Sequence, residues 1–165
     1  MFPEILTIMC EDLLEECQEN GLKLALAESC TGGLIAGCVT SVAGSSAVLD
    51  RGFVTYSNAA KTDMIGVPAN LIETHGAVSE EVAIAMAEGA LAHSNAQLSL
   101  SVTGIAGPGG GTEDKPVGLV HMACARDGQP TQHQRHLFKG DRERVRIQTV
   151  ESGLKLLLNC CAATH

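Results

Sequence analysis

Apolar residues at Leu6, Met9, Cys10, Leu13, Leu14 and Cys17 recur at the three-to-four-residue spacing of an amphipathic helix, which the chain carries from Glu4 to Glu19 and stops at Asn20-Gly21. Leu22 to Ala27 is instead a short continuous apolar run bounded by turn residues, the pattern of a buried strand. Helical spacing returns over Gly32 to Val39 and breaks at Gly44-Ser45-Ser46. Val48 to Ser57 reads as a second strand, and Ala59 to Ile65 as a short helix closed by Gly66 and Pro68. Ser79, followed by Glu80 and Glu81, has the chemistry of an N-cap for a helix that buries Val82, Met86 and Ala90 and runs to about His93. Leu98 to Val102 is a third strand, followed by a glycine-rich loop from Thr103 to Pro116. Val117 to Ala125 and His133 to Phe138 flank an Asp127-Gly128 turn and predict a hairpin. Asp141 then caps a last helix with Val145, Ile147, Val150, Leu154, Leu157 and Leu158 on its apolar side.

Strands alternating with helices, ending in one hairpin, predict an α/β fold: a three-layer α/β/α sandwich with a mixed, mostly parallel sheet, in a single domain over residues 1–165. In such sheets ligands bind in the loops that leave the C-terminal strand ends. The loops after Ala27, Tyr56 and Val102 are therefore the places to search for chemistry.

Composition narrows the function. The chain is 45% hydrophobic but only 2% aromatic, so its core is aliphatic, and its 18 glycines point to tight turns and close backbone approaches. A net charge of −8 excludes sequence-independent nucleic-acid binding, which needs a basic footprint. No apolar run reaches the about 20 residues of a membrane span and the start lacks a basic leader, so the expected location is cytoplasmic, with no membrane partner. Seven cysteines without a Cys-x-x-Cys pair favour buried, reduced thiols. His133 and His136 stand three apart, but without a neighbouring cysteine or carboxylate they make a poor metal site, and no metal is assigned.

The candidate chemistry centres on Ala27-Glu28-Ser29-Cys30-Thr31-Gly32-Gly33, where a strand turns into a helix. Such a turn offers free N–H groups and a positive dipole end to an anion. Ser29 can cap that helix or attack a carbonyl. It does not sit in the Gly-x-Ser-x-Gly elbow of α/β-hydrolases, and the loop Gly104-Ile105-Ala106-Gly107-Pro108-Gly109-Gly110-Gly111-Thr112 lacks the lysine of a P-loop. Tyr56 and Lys61 also miss the short-chain dehydrogenase spacing by one residue. Together, however, Ser29, Tyr56 and Lys61 have the makings of a nucleophile with its base: a partly desolvated lysine can take a serine proton, and Tyr56, the only tyrosine, can relay that proton or hold the lysine. Cys30 is an alternative nucleophile or a small buried hydrophobe. Thr103 and Gly104 either touch substrate or start a turn, and Arg142 and Arg144 either bind a phosphate or are solvated helix charges.

The segments Ala27 to Gly33, Val54-Thr55-Tyr56-Ser57-Asn58 with Lys61, Gly76-Ala77-Val78-Ser79, Ser101 to Gly110 and Lys115-Pro116-Val117-Gly118 occur in this order, and the chain closely resembles the CinA C-terminal domain family from about Ile5 to Leu158. The resemblance implies an amidohydrolase that converts nicotinamide mononucleotide and water to nicotinate mononucleotide and ammonia in pyridine nucleotide recycling, without metal or organic cofactor. Carried onto this sequence, it makes Ser29 the nucleophile, Lys61 the base and Tyr56 the third member. Backbone N–H groups from Cys30 through Thr31 and Gly32 to Gly33 would stabilise the oxyanion, and Thr103, Gly104, Gly107 and Arg142 would contact the small-molecule substrate. It further implies a self-associated, stand-alone form of a domain that many relatives fuse behind a molybdopterin-binding-like one. The different class of reading is a non-catalytic nucleotide-binding module or partner subunit, which needs the glycine loop but not the trio.

Overall fold

A computed structural model of the chain describes residues 1–162; residues 163–165, the end of the expected domain, lie outside the described residues. In chain order the elements are α1 (Glu4–Glu19), β1 (Leu24–Glu28), α2 (Leu34–Thr40), β2 (Leu49–Val54), α3 (Asn58–Ile65), α4 (Ala69–His75), α5 (Glu80–Ala92), β3 (Leu98–Gly104), β4 (Leu119–Arg126), β5 (Gln132–Leu137) and α6 (Arg142–Ala162). The five strands form one sheet in the order β2-β1-β3-β4-β5. β1 pairs in parallel with β2 and β3, whereas β3/β4 and β4/β5 pair antiparallel, so β4 alone opposes the direction shared by the other four.

Side-chain alternation sorts the two layers. Leu24 and Leu26 of β1, Leu98, Leu100 and Val102 of β3, and Val120 and Met122 of β4 face α1, α2 and α6 in one large aliphatic core. The intervening positions are small. Ala25 and Ala27 pack toward Ile65, Val82 and Met86, and Ala123 and Ala125 pack against Ala83 and Ala87 of α5. Small residues on both surfaces bring α5 close enough for Ser99 and Ser101 of β3 to donate to the carbonyls of Ala87 and Ala83 at 2.6 and 2.5 Å, which satisfies two hydroxyls buried in the sheet. Gly89 is part of the same close fit: a Cβ there would collide with the carbonyl of Ile65 at the end of α3.

Several boundaries differ from those read in the sequence. Ser57 belongs to no strand; its hydroxyl accepts from the Ala60 N–H at 3.0 Å and caps α3, so β2 ends at Val54. Gly33, with φ 102°, stands outside α2, which begins one residue later. Pro68 opens a helix, α4, where the sequence suggested a stop, because proline removes no needed donor at a helix start. Ser79 caps α5 as expected, accepting from the Val82 N–H at 3.3 Å. No helix among the described residues is long and apolar enough to cross a membrane.

Candidate active site

The C-terminal ends of β1, β2 and β3 lie side by side, and they deliver Ser29, Tyr56 and Thr103 to one cleft of about 290 Å³. Cys30, Asn58, Lys61, Ala77, Val78, Arg142, the segment from Gly104 to Gly107, and Gly109 and Gly110 complete its lining. Lys61 reaches the cleft from the first turns of α3, with only 1% of its surface exposed. Its Nζ lies 3.1 Å from Ser29 Oγ, 2.9 Å from the Thr55 carbonyl oxygen and 3.3 Å from the Tyr56 carbonyl oxygen.

Three oxygens surround Nζ and accept from it in the ammonium form; a neutral amine can keep its two N–H bonds on the carbonyls and turn its lone pair to the serine hydroxyl. Burial holds the Lys61 pKa below its ordinary value of 10.5, opposed only by the neighbouring Cys30, and Lys61 forms no ion pair with a carboxylate among the described residues. Burial acts oppositely on Cys30, pushing its thiol up to about 12, so at neutral pH it is a protonated, poorly nucleophilic thiol beside the serine.

Tyr56 is placed differently from the relay that the sequence allowed. It holds Lys61 through its main-chain carbonyl; its phenol is turned away, 60% of the residue is exposed, and its hydroxyl meets Arg142 Nη2 at 3.3 Å. Lys61 Nζ contacts Ser29 Oγ with no side chain between them. Arg142 also donates through Nη1 to the Gly107 carbonyl at 2.7 Å, which fastens the glycine loop to the start of α6 across the cleft mouth. Gly107 has φ 86° and precedes a cis peptide bond to Pro108. Gly104 is required for space, since a Cβ there would stand 2.6 Å from Val120 Cγ2 and 2.8 Å from the Leu119 oxygen. Thr103 is spent structurally in part: its hydroxyl donates to the Ala77 carbonyl at 2.9 Å and pins the loop on the opposite wall.

The Ser29 turn departs from the sequence reading in one further respect. Thr31, Gly32 and Gly33 do not line the cleft. The Thr31 hydroxyl donates to Glu28 Oε1 at 2.6 Å, and the same buried carboxylate accepts from the Ile35 and Ala36 N–H groups at 2.9 and 3.0 Å. Glu28 thus caps α2 from the strand end, and the helix terminus is not open to an incoming anion. Arg146 was also hidden in the sequence. Its Nε and Nη2 donate to the carbonyls of Cys30 and Thr31 at 3.2 and 2.9 Å. The available signal was helical phase: Arg142 and Arg146 share a face at i, i+4, whereas Arg144 falls on another and reaches none of the cleft. His133 and His136 occupy opposite faces of β5, one bonded to His121 and the other stacked on Phe138, as a three-residue spacing in a strand dictates.

Fold and site together define an α/β sandwich protein with a buried serine–lysine pair at the strand ends. The CinA C-terminal domain model matches residues 7–161, and the chain belongs to that family. It is 58% identical to a CinA-like protein of Citrifermentans bemidjiense over 85% of this chain and 34% of the relative. A CinA-like protein of Syntrophobacter fumaroxidans is 48% identical over 87% of this chain and 34% of the relative. The chain therefore spans about a third of the length of these curated relatives. Among solved structures, the competence/damage inducible protein CihA of Agrobacterium tumefaciens superposes with a TM-score of 0.94 at 47% identity, covering 96% of this chain and 98% of that one. The competence damage-inducible protein A of Klebsiella pneumoniae gives 0.92 at 34% identity over 97% and 99%.

Proposed function

We propose that the chain is an amidohydrolase that cleaves the carboxamide of nicotinamide mononucleotide to give nicotinate mononucleotide and ammonia. The observation that carries this reading is the 3.1 Å approach of a buried, carboxylate-free Lys61 Nζ to Ser29 Oγ at the floor of an open cleft. A serine and a neutral amine in contact are what nucleophilic attack on an amide needs, and a pure binding module has no use for the cost of burying that lysine.

In the proposed reaction Lys61 takes the Ser29 proton as Oγ bonds to the carboxamide carbon and the carbonyl electrons move to oxygen. Collapse of that oxyanion breaks the C–N bond, and the Lys61 ammonium returns its proton to the leaving nitrogen, releasing ammonia. Water then attacks the serine ester, giving its proton to Lys61, which passes it back to Ser29 as the carboxylate leaves. No cofactor takes part in these steps. The cationic pyridinium ring is compatible with a protein of net charge −8. The test is mass spectrometry of protein quenched in acid during turnover of nicotinamide mononucleotide. An ester of the nicotinate mononucleotide acyl group on the peptide carrying Ser29 is expected, and the same adduct on Cys30 would move the nucleophile by one residue.

A further inference from the structure

The geometry points to Arg146 as a positioning residue that holds the Cys30–Thr31 turn so that the Cys30 N–H, on the cleft side, serves as the oxyanion donor of the proposed amidase, on which reading the inference rests. The usual donor for such a role, the N-terminus of the following helix, is already occupied. Leu34 N–H donates to the Thr31 carbonyl at 3.0 Å, and Ile35 and Ala36 donate to Glu28. Ser29 N–H is taken by the Val102 carbonyl at 3.1 Å, and Gly32 N–H by the Ser29 carbonyl at 3.0 Å. Of the remaining N–H groups of the turn, that of Cys30, which lines the cleft beside the nucleophile, meets no acceptor other than its own thiol among the described residues, whereas Thr31 lies outside the cleft lining.

The peptide unit that carries this donor, and the one after it, are held from behind. The carbonyl of the Ser29–Cys30 unit accepts from Gly32, and the carbonyl of the Cys30–Thr31 unit accepts from Arg146 Nε at 3.2 Å. Hydrogen bonding at a peptide oxygen draws electron density from its nitrogen and strengthens the N–H as a donor. Arg146 Nη2 takes the Thr31 carbonyl at 2.9 Å as well, so the guanidinium fork fixes two successive carbonyls outward and thereby aims the N–H groups of the turn the other way. It also sets a permanent positive charge behind the site where negative charge develops. Arg146 touches neither substrate nor Ser29 Oγ in this arrangement; it acts through the turn, and Glu28 leaves that role to it by closing the helix end.

The experiment compares wild type, Arg146→Lys and Arg146→Met in two assays. In the first, a fluorophosphonate labels Ser29, a reaction that also pushes charge onto an oxygen in the same position but needs no amide substrate. In the second, ammonia release from nicotinamide mononucleotide is followed. Arg146→Met is expected to lower the Ser29 labelling rate and kcat by about 10²-fold, the usual loss for one oxyanion donor, with little change in KM. Arg146→Lys falls between, because an ammonium cannot span both carbonyls, and guanidinium ion added to Arg146→Met recovers part of the rate. Equal labelling of Ser29 in wild type and in a folded Arg146→Lys or Arg146→Met protein overturns the inference, as does a loss confined to KM. A wild type that labels at Ser29 but releases no ammonia would sink the amide reading while the labelling arm still decides the role of Arg146.

Discussion

At the scale of single residues the site turns on Lys61. A lysine 1% exposed, with carbonyls and a hydroxyl for partners and no carboxylate, is held in place at a cost to stability. The sign follows from linkage. Its pKa is lowered in the folded protein, so between that lowered value and 10.5 the unfolded chain binds a proton that the native state has lost; stability rises with pH across this window and falls as pH drops through it. Lys61→Met, which keeps the stem and removes the charge, should therefore unfold at a higher temperature at pH 7 while losing activity. Calorimetry with the ammonia assay checks both, and a lower midpoint would contradict the cost of burial. That Ser29, Tyr56 and Lys61 share one cleft was legible from two strand ends and a position one turn into the helix that follows the second. What Tyr56 does was not, because sequence cannot tell a phenol from the main-chain carbonyl behind it, and here the carbonyl makes the contact.

Among the elements, α1, α5, α6 and the hairpin were readable because their apolar periodicities are long and their caps explicit, as at Ser79 and Asp141, whose carboxylate accepts from Arg144 N–H at 2.9 Å. α4 was not, because a seven-residue helix with Ile72 as its one buried residue leaves no periodic trace. The β4/β5 hairpin carries a histidine pair: His121 Nδ1 and His133 Nε2 lie 2.8 Å apart with ring centroids 5.1 Å apart in a stacked arrangement. Burial, then the charges of His133, Arg135 and Lys115, hold His121 down to about 4 against 6.5, with Glu81 opposing. A histidine kept neutral in the fold contributes stability that is full above about 6.5 and is lost as pH falls toward about 4. His121→Gln should shift the acid-unfolding midpoint to lower pH, measured by circular dichroism; an unchanged midpoint would mean that other groups set the acid limit.

For the molecule as a whole, the fold's contribution to function is convergence. Three neighbouring strands ending at one level bring residues 29, 56 and 103 into a single cleft, and the parallel pairing on both sides of β1 places the Ser29 turn at its centre. This much could be read from an α/β pattern and the rule that ligands sit at strand ends. The long-range partners could not: Arg146 lies 116 positions from Cys30, and nothing local to either residue encodes that contact. On the proposed function, this convergence makes Ser29 a nucleophile toward an amide. That reading is tested most directly by ammonia release from nicotinamide mononucleotide by the purified chain and by its Ser29→Ala variant. Turnover by the wild type is expected, with a loss of at least about 10³-fold in kcat for a stably folded Ser29→Ala protein. Ammonia release by that variant at the wild-type rate would contradict it.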